Sequence, residues 1–299
     1  MIRLSHTAME AFLECERKFQ LDRLLESSAG KSTNEHFAFG HAYEEGCVSY
    51  LLSQDRDKAI WDCYMAYKGE DEGGICIPET AKKNEMVAIN LLLASISELN
   101  NLLDEWEIAS FQNKPAIQLS FRVNISEQFY YVGYIDIVLR NKYTGRYAVL
   151  DFKTTGLNLT VLDPLYQNSS QLISYSVVLD EIVGADLAEY DVKYFVGQLG
   201  AGNGFQPKIH PLTFTKSIKD RLNFFITLGM DVQRLEMMQK YGIFPQRGAA
   251  CLRFNRPCFH FGTCGLHYLD KEKVPEEDTI EYQFVFDLET LIANHMERT

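Results

Sequence analysis

Three charged side chains stand where a strand would ordinarily carry Val or Ile. The stretch Tyr131–Thr155, YVGYIDIVLRNKYTGRYAVLDFKTT, holds two runs rich in β-branched and aromatic residues around a turn at Asn141–Gly145, which predicts a β-hairpin. Asp136 sits among Tyr134, Ile135, Ile137 and Val138, and Asp151 follows Val149 and Leu150. Side chains alternate along a strand, so Asp151 and Lys153 share one face while Phe152 points to the other. Burying one carboxylate is costly, and a second beside it adds repulsion, unless a cation is bound. Asp136, Asp151 and Lys153 together are therefore expensive for stability and suited to gripping a divalent ion, which lowers the pKa of a bound water and polarises a phosphate.

A second constellation of chemistry-bearing residues lies near the other end. CLRFNRPCFHFGTCG places Cys251, Cys258 and Cys264 in one short loop bearing Pro and Gly. Seven cysteines in a chain without disulfide context are better explained by a metal where they cluster. Thiolates suit either iron–sulfur or zinc, and His260 or His267 could replace a missing thiol. Cys63 and Cys76 have no partners at metal-binding spacing.

The elements that must position these groups follow from periodicity. Thr7-x-x-Glu10 reads as a capping box opening a helix over Thr7–Leu25, with Phe12, Cys15, Phe19 and Leu24 near one face. Phe37–Leu52 reads as a second helix, on which Glu44 follows Gly40 by four positions and offers a hard-metal ligand. Lys68–Glu79 is an acidic, Gly-containing loop, and Glu85–Ile108 has apolar residues at helical spacing. Strands are predicted over Ile117–Ile125, Phe129–Leu139 and Tyr147–Lys153. A helix over Ser169–Leu179 then puts Gln171 and Tyr175 one turn apart on one face. Strands over Asp191–Leu199 and Lys208–Phe214 flank a Gly-rich turn, Gly200–Gly204, which lacks the spacing of a phosphate-binding loop. Thr215–Tyr241 is a long amphipathic helix, and the tail after Lys273 is acidic before a short helix. Two further acid-x-Lys triplets, Glu16-Arg17-Lys18 and Asp191-Val192-Lys193, read as solvated faces with ordinary ion pairs.

Only the Asp151 triplet is preceded by a strand carrying Gly133-x-x-Asp136 and followed by Gln171-x-x-x-Tyr175. That arrangement resembles the PD-(D/E)XK nuclease superfamily, in particular its RecB-like branch (the RecB and AddB nuclease domains, the CRISPR-associated RecB-like exonucleases and phage relatives). The opening LSHTAMEAFLECERKF resembles that of the iron–sulfur members, with Glu16 where their pattern has Pro. The resemblance implies an α/β fold: a restriction-endonuclease-like core with a central mixed β-sheet flanked by helices, capped by an N- and C-terminal cysteine-ligated metal cluster. It implies a division into an N-terminal helix (1–30), a nuclease core (31–240) with a helical insertion near 55–110, a cysteine segment (241–270) and a tail (271–299).

The roles it implies are specific. Asp136, Asp151 and Lys153 would be catalytic; Glu44, Asp136, Asp151 and the Phe152 carbonyl would hold Mg²⁺ or Mn²⁺; Gln171 and Tyr175 would line the DNA path. Glu44 occupies the slot where the branch carries His. Cys15, Cys251, Cys258 and Cys264 would ligate a [4Fe–4S] cluster pinning the N-terminal helix to the C-terminal segment, with zinc as the rival, although the Cys251–Cys258 gap is longer than usual. The activity implied is phosphodiester hydrolysis of DNA, as an exonuclease on ends or single strands in recombination, repair or phage DNA processing, with recombination or CRISPR-type protein partners. The alternatives are a DNA-binding iron–sulfur subunit of the same fold with little activity, and a non-nuclease metalloprotein.

Composition sets outer bounds. The 299 residues suffice for one substantial core or two modest ones, and 46% hydrophobic with 23% charged residues is ordinary for a globular chain. No apolar run approaches the roughly 20 residues that span a bilayer. The N-terminus lacks the apolar region of a signal peptide, so a cytoplasmic, membrane-free protein is expected. A net charge of −12 argues against wrapping duplex DNA nonspecifically, while leaving room for a narrow basic channel.

Overall fold

The computed structural model describes residues 1–25, 35–72, 83–157, 163–183, 187–199, 206–253, 256–273 and 278–299. Cys76, the Gly200–Gly204 turn, much of the acidic loop after Glu72 and part of the segment after Leu157 lie outside the described residues. The chain divides into two compact units: Met1–Gly30 with Ser120–Tyr134 and Ile218–Thr299, and Lys31–Leu119 with Ile135–Ser217.

The strands in chain order are β1 (Ile2–Ser5), β2 (Trp106–Ile108), β3 (Ser110–Phe111), β4 (Lys114–Pro115), β5 (Ile117–Asn124), β6 (Phe129–Asn141), β7 (Tyr147–Thr155), β8 (Glu189–Gln198), β9 (Lys208–Ser217), β10 (Leu252–Arg253), β11 (Arg256–Pro257) and β12 (Phe284–Asp287). The α-helices are α1 (His6–Glu14), α2 (Glu16–Phe19), α3 (Glu35–Ser53), α4 (Arg56–Glu72), α5 (Glu85–Glu105), α6 (Asp163–Gln167), α7 (Gln171–Tyr175), α8 (Leu179–Val183), α9 (Ile218–Tyr241) and α10 (Leu288–Arg298).

The second unit is built on a mixed sheet. β2 and β7 pair antiparallel with β6, β8 runs parallel to β7, and β9 returns antiparallel to β8. A parallel pair needs a crossover, here through the short helices α6–α8. On one sheet face Ile137, Leu139, Leu150, Phe152 and Phe195 form a continuous core with Phe39, Tyr43, Cys47, Leu91 and Leu92 of α3 and α5. Gly46 makes that helical layer possible. A Cβ there would stand 2.8 Å from both Cys63 Cβ and Leu92 Cδ2. Strand alternation sends Asp151 and Lys153 to the opposite face, toward α7.

Helix α5 corrects one expectation from the sequence. Its 21 residues are, by length and composition, apolar enough to cross a membrane. Here it buries Ala88, Leu91, Leu92, Ser95 and Leu99 within the described fold, because its apolar residues recur at helical spacing.

In the first unit β1 runs parallel to the start of β6, from Ile2↔Phe129 to Ser5↔Val132, and β12 runs parallel to β5. α9 and α10 meet where Phe225 packs on His295, ring centroids 5.1 Å apart. The first helix starts two residues before the expected cap: extended Ser5 accepts a bond from the Ala8 amide at 3.3 Å. It also breaks early. Cys15 is extended at φ −162°, ψ 112°, and the chain resumes as α2 and a π-helical turn over Gln20–Leu24.

Candidate active site

Hydrogen-bond register sets the site. In the parallel β7–β8 ladder Asp151 lies opposite Tyr194, and in the antiparallel β6–β7 ladder Ile137 lies opposite Leu150. Asp136 is one step past that last pair, so Asp136, Asp151 and Tyr194 stand on one face of three neighbouring strands. Asp151 is 1% exposed. Lys153 Nζ lies 2.6 Å from Asp151 Oδ2, an ion pair by distance whose direction misses hydrogen-bond geometry. Gln171 Nε2 donates to Asp151 Oδ1 at 3.2 Å and to Tyr175 Oη at 2.9 Å. The amide therefore ties both expected DNA-path residues to the carboxylate.

Electrostatics follow from this crowding. Burial raises the Asp136 carboxyl well above its ordinary range, and the Asp151 and Glu44 charges add to it, while Lys153 opposes them. Asp136 therefore holds its proton more tightly than a solvated carboxyl does. Burial pulls Lys153 down, but the Asp151 charge and contact outweigh it and hold the ammonium above the usual lysine value. Glu44 is raised by burial and by Asp151, and lowered by Lys153 and His41. A Cβ added at Gly40 would stand 4.0 Å from Thr154 Oγ1, so the first half of α3 lies over the end of β7. Glu44 Oε1 accepts from Gln118 Nε2 at 3.0 Å.

The four expected cluster cysteines lie together in the first unit. Cys15, Cys251, Cys258 and Cys264 line one cavity of about 200 Å³ with Lys18, Gln246, His260 and Phe261. Nevertheless, among the described residues no group of three or more His, Cys, Asp or Glu side chains is placed to hold a metal ion. The expected [4Fe–4S] cluster, its zinc alternative and the assignment to an iron–sulfur branch are therefore corrected. So is the resident Mg²⁺ or Mn²⁺ expected at the carboxylates. Physically, ligating sulfur must be thiolate. Here Cys251 Sγ donates to the Arg247 carbonyl at 3.6 Å, and burial pushes the Cys264 thiol up. At the carboxylates, the Lys153 ammonium already supplies the cation.

The N- and C-terminal segments are joined by charge instead. Glu16 is 1% exposed and accepts from Arg234 at 3.1 Å and from Arg247 at 2.6 and 2.7 Å. Arg17 reaches Asp270 at 2.9 and 3.0 Å and the Cys264 carbonyl at 3.0 Å. The solvated reading of Glu16-Arg17-Lys18 is thus wrong. Asp191 is likewise buried, held by Arg146 and Thr215, each at 2.9 Å, and Lys193 lies over the Trp106 ring at 4.4 Å. Lys193 is opposite Leu150, on the face away from Asp151.

Two residues near the carboxylates escaped the sequence reading. Tyr194 reads as an ordinary strand aromatic, and only the β7–β8 register brings it beside Asp151; burial raises its hydroxyl to about 12. Gln118 carries no sequence signal at all, because nothing local in the sequence marks the positive φ it adopts within β5 or its contact with Glu44, 74 residues away.

A profile of the PD-(D/E)XK nuclease superfamily matches residues 3–201, more than half of the chain. No curated protein matches the sequence. Among solved structures, a candidate exonuclease from Eubacterium rectale is similar at 11% identity and TM-score 0.48, covering 93% of this chain and 91% of that one. The structure of SSO0001 is similar at 14% identity and TM-score 0.29, covering 77% of this chain and 86% of that one.

Proposed function

Because the chain belongs to the PD-(D/E)XK nuclease superfamily, we propose that it is a deoxyribonuclease hydrolysing phosphodiester bonds, acting as an exonuclease on DNA ends or single strands in recombination, repair or phage DNA processing. The observation that carries this reading is the buried Asp151 paired with Lys153 at 2.6 Å beside a second carboxylate, Asp136, whose proton burial and the neighbouring acidic charges hold more tightly than usual. Two neighbouring carboxylates, one of them in surroundings that favour its protonated form, can serve as a general acid–base arrangement.

In this reading Asp151, the acceptor of the pair, orients and deprotonates the attacking water. Asp136 returns a proton to the leaving oxygen. The Lys153 ammonium offsets negative charge accumulating on the oxygens of the pentacovalent transition state, where a fixed cation in a site of low polarity is worth most. Gln171 and Tyr175, bonded to each other and through Gln171 to Asp151, position the strand. Glu44 completes the acidic edge and orients the others electrostatically.

The test is digestion of end-labelled single- and double-stranded DNA by purified protein, with arms containing Mg²⁺, Mn²⁺ or a chelator, so that any dependence on either ion is read in the same assay. Release of labelled nucleotides from the ends supports the proposal. DNA bound but left uncut supports a non-catalytic binding subunit. Neither binding nor cutting rejects both readings.

A further inference from the structure

Gln118 holds a conformation that its residue type disfavours. Its φ is +50°, in the left-handed region that favours glycine and that a Gln adopts only against strain. Among the described residues three other non-glycine residues share a positive φ, and each has a local explanation. Gln54 follows the end of α3, and Gln112 and Asn113 form the turn between β3 and β4. Gln118 alone of the four lies inside a strand, the second residue of β5. It is exposed, so no core packing demands a glutamine there. What the glutamine supplies is its amide. Nε2 donates to Glu44 Oε1 at 3.0 Å, across 74 residues of sequence.

We infer that Gln118 is a positioning residue for the proposed hydrolysis, its strained backbone retained because it aims the side-chain amide at Glu44. The chain thus uses two amides in parallel: Gln171 fixes Asp151 and Gln118 fixes Glu44. Without the Gln118 amide, Glu44 is free to turn to solvent, away from the charges of Asp151 and Lys153 that it faces. This inference rests on the nuclease reading.

The experiment compares wild type, Gln118→Gly, Gln118→Asn, Glu44→Gln and the Glu44→Gln/Gln118→Gly double variant by DNA digestion and thermal melting. Gly and Asn tolerate the left-handed backbone, but neither carries an amide with glutamine's reach. The expected result is that both single variants at Gln118 melt no lower than wild type and lose kcat by up to about 10²-fold, the scale on which misplaced groups act. KM for DNA stays unchanged. In the Glu44→Gln background, Gln118→Gly then has no further effect, since both act through one carboxylate.

Wild-type cleavage with undiminished kcat in Gln118→Gly overturns this inference and leaves the nuclease reading intact. Multiplicative losses in the double variant overturn it as well, by showing that Gln118 acts independently of Glu44. Lower melting in Gln118→Gly and Gln118→Asn alongside lost activity points to a structural bulge and overturns it too. A wild-type protein that cuts no DNA removes the nuclease reading and this role with it.

Discussion

Lys153 Nζ lies 2.6 Å from Asp151 Oδ2, and the two side chains rise from the same face of β7 with only Phe152 between them in sequence. Asp151 is almost wholly buried and Lys153 is one-third exposed, so the lysine is the buried carboxylate's main compensation. Removing one partner strands the other. Lys153→Met should therefore cost on the order of 3 kcal/mol, the range for breaking a buried pair. The Asp151→Asn/Lys153→Met double variant leaves no charge to strand and should recover much of that loss. Urea unfolding of both variants checks the relation, and a double variant less stable than the single would contradict it.

Asp136 should be a residue whose neutralisation stabilises the protein. Its folded carboxyl is raised well above the unfolded value, chiefly by burial and then by Asp151 and Glu44. A raised carboxyl contributes stability at pH below its unfolded value and loses it as pH rises through the folded value. Above that pH the charged form is the burden. Asp136→Asn, which mimics the protonated state, should thus melt higher than wild type, by a margin that widens as pH rises above the ordinary carboxylate range, while losing cleavage. Calorimetry over a series of pH values measures the margin.

The Glu16 cluster predicts the opposite pH dependence. The Arg247 hydrogen bonds hold the Glu16 carboxyl below its ordinary range, against burial. A depressed carboxyl contributes stability at pH above the unfolded value, and that stability is lost as pH falls through the folded value. Asp270, depressed chiefly by Arg17, adds in the same direction. Glu16→Gln should melt several degrees below wild type at pH 7 and approach it near pH 3. A gap that stayed constant over that range would remove the ionic account.

Gly46 should resist any side chain. A Cβ at 2.8 Å from Cys63 Cβ and Leu92 Cδ2 forces α4 or α5 away from α3. Gly46→Ala should therefore cost about 1–3 kcal/mol, the usual penalty for overpacking, despite alanine's better helix propensity. Chemical denaturation reads the change directly.

The superfamily and the mixed α/β core were legible in the sequence because their signals are periodic or local. The β6–β7 hairpin announced itself through β-branched runs around Asn141–Gly145, and α3 was placed to within two residues at its N-terminus and one at its C-terminus. The cysteines were legible as neighbours but not as ligands. Spacing reveals that Cys251, Cys258 and Cys264 can meet; it says nothing of whether the sulfurs face one ion or donate to carbonyls, as Cys251 does. Glu16, Arg17 and Asp191 were misread as solvated because their partners Arg234, Arg247, Asp270 and Arg146 lie tens to hundreds of residues away. Gln118 and Tyr194 were invisible for a related reason: one depends on a backbone angle, the other on strand register.

The most direct test of the central claim is digestion of end-labelled DNA by wild type and by the Asp151→Asn/Lys153→Met variant, each shown to be folded by circular dichroism. The account predicts that wild type releases labelled nucleotides and that the variant's rate falls by roughly 10²-fold or more, as expected when a general base and a transition-state cation are lost together. A folded variant that cuts DNA at the wild-type rate would contradict it.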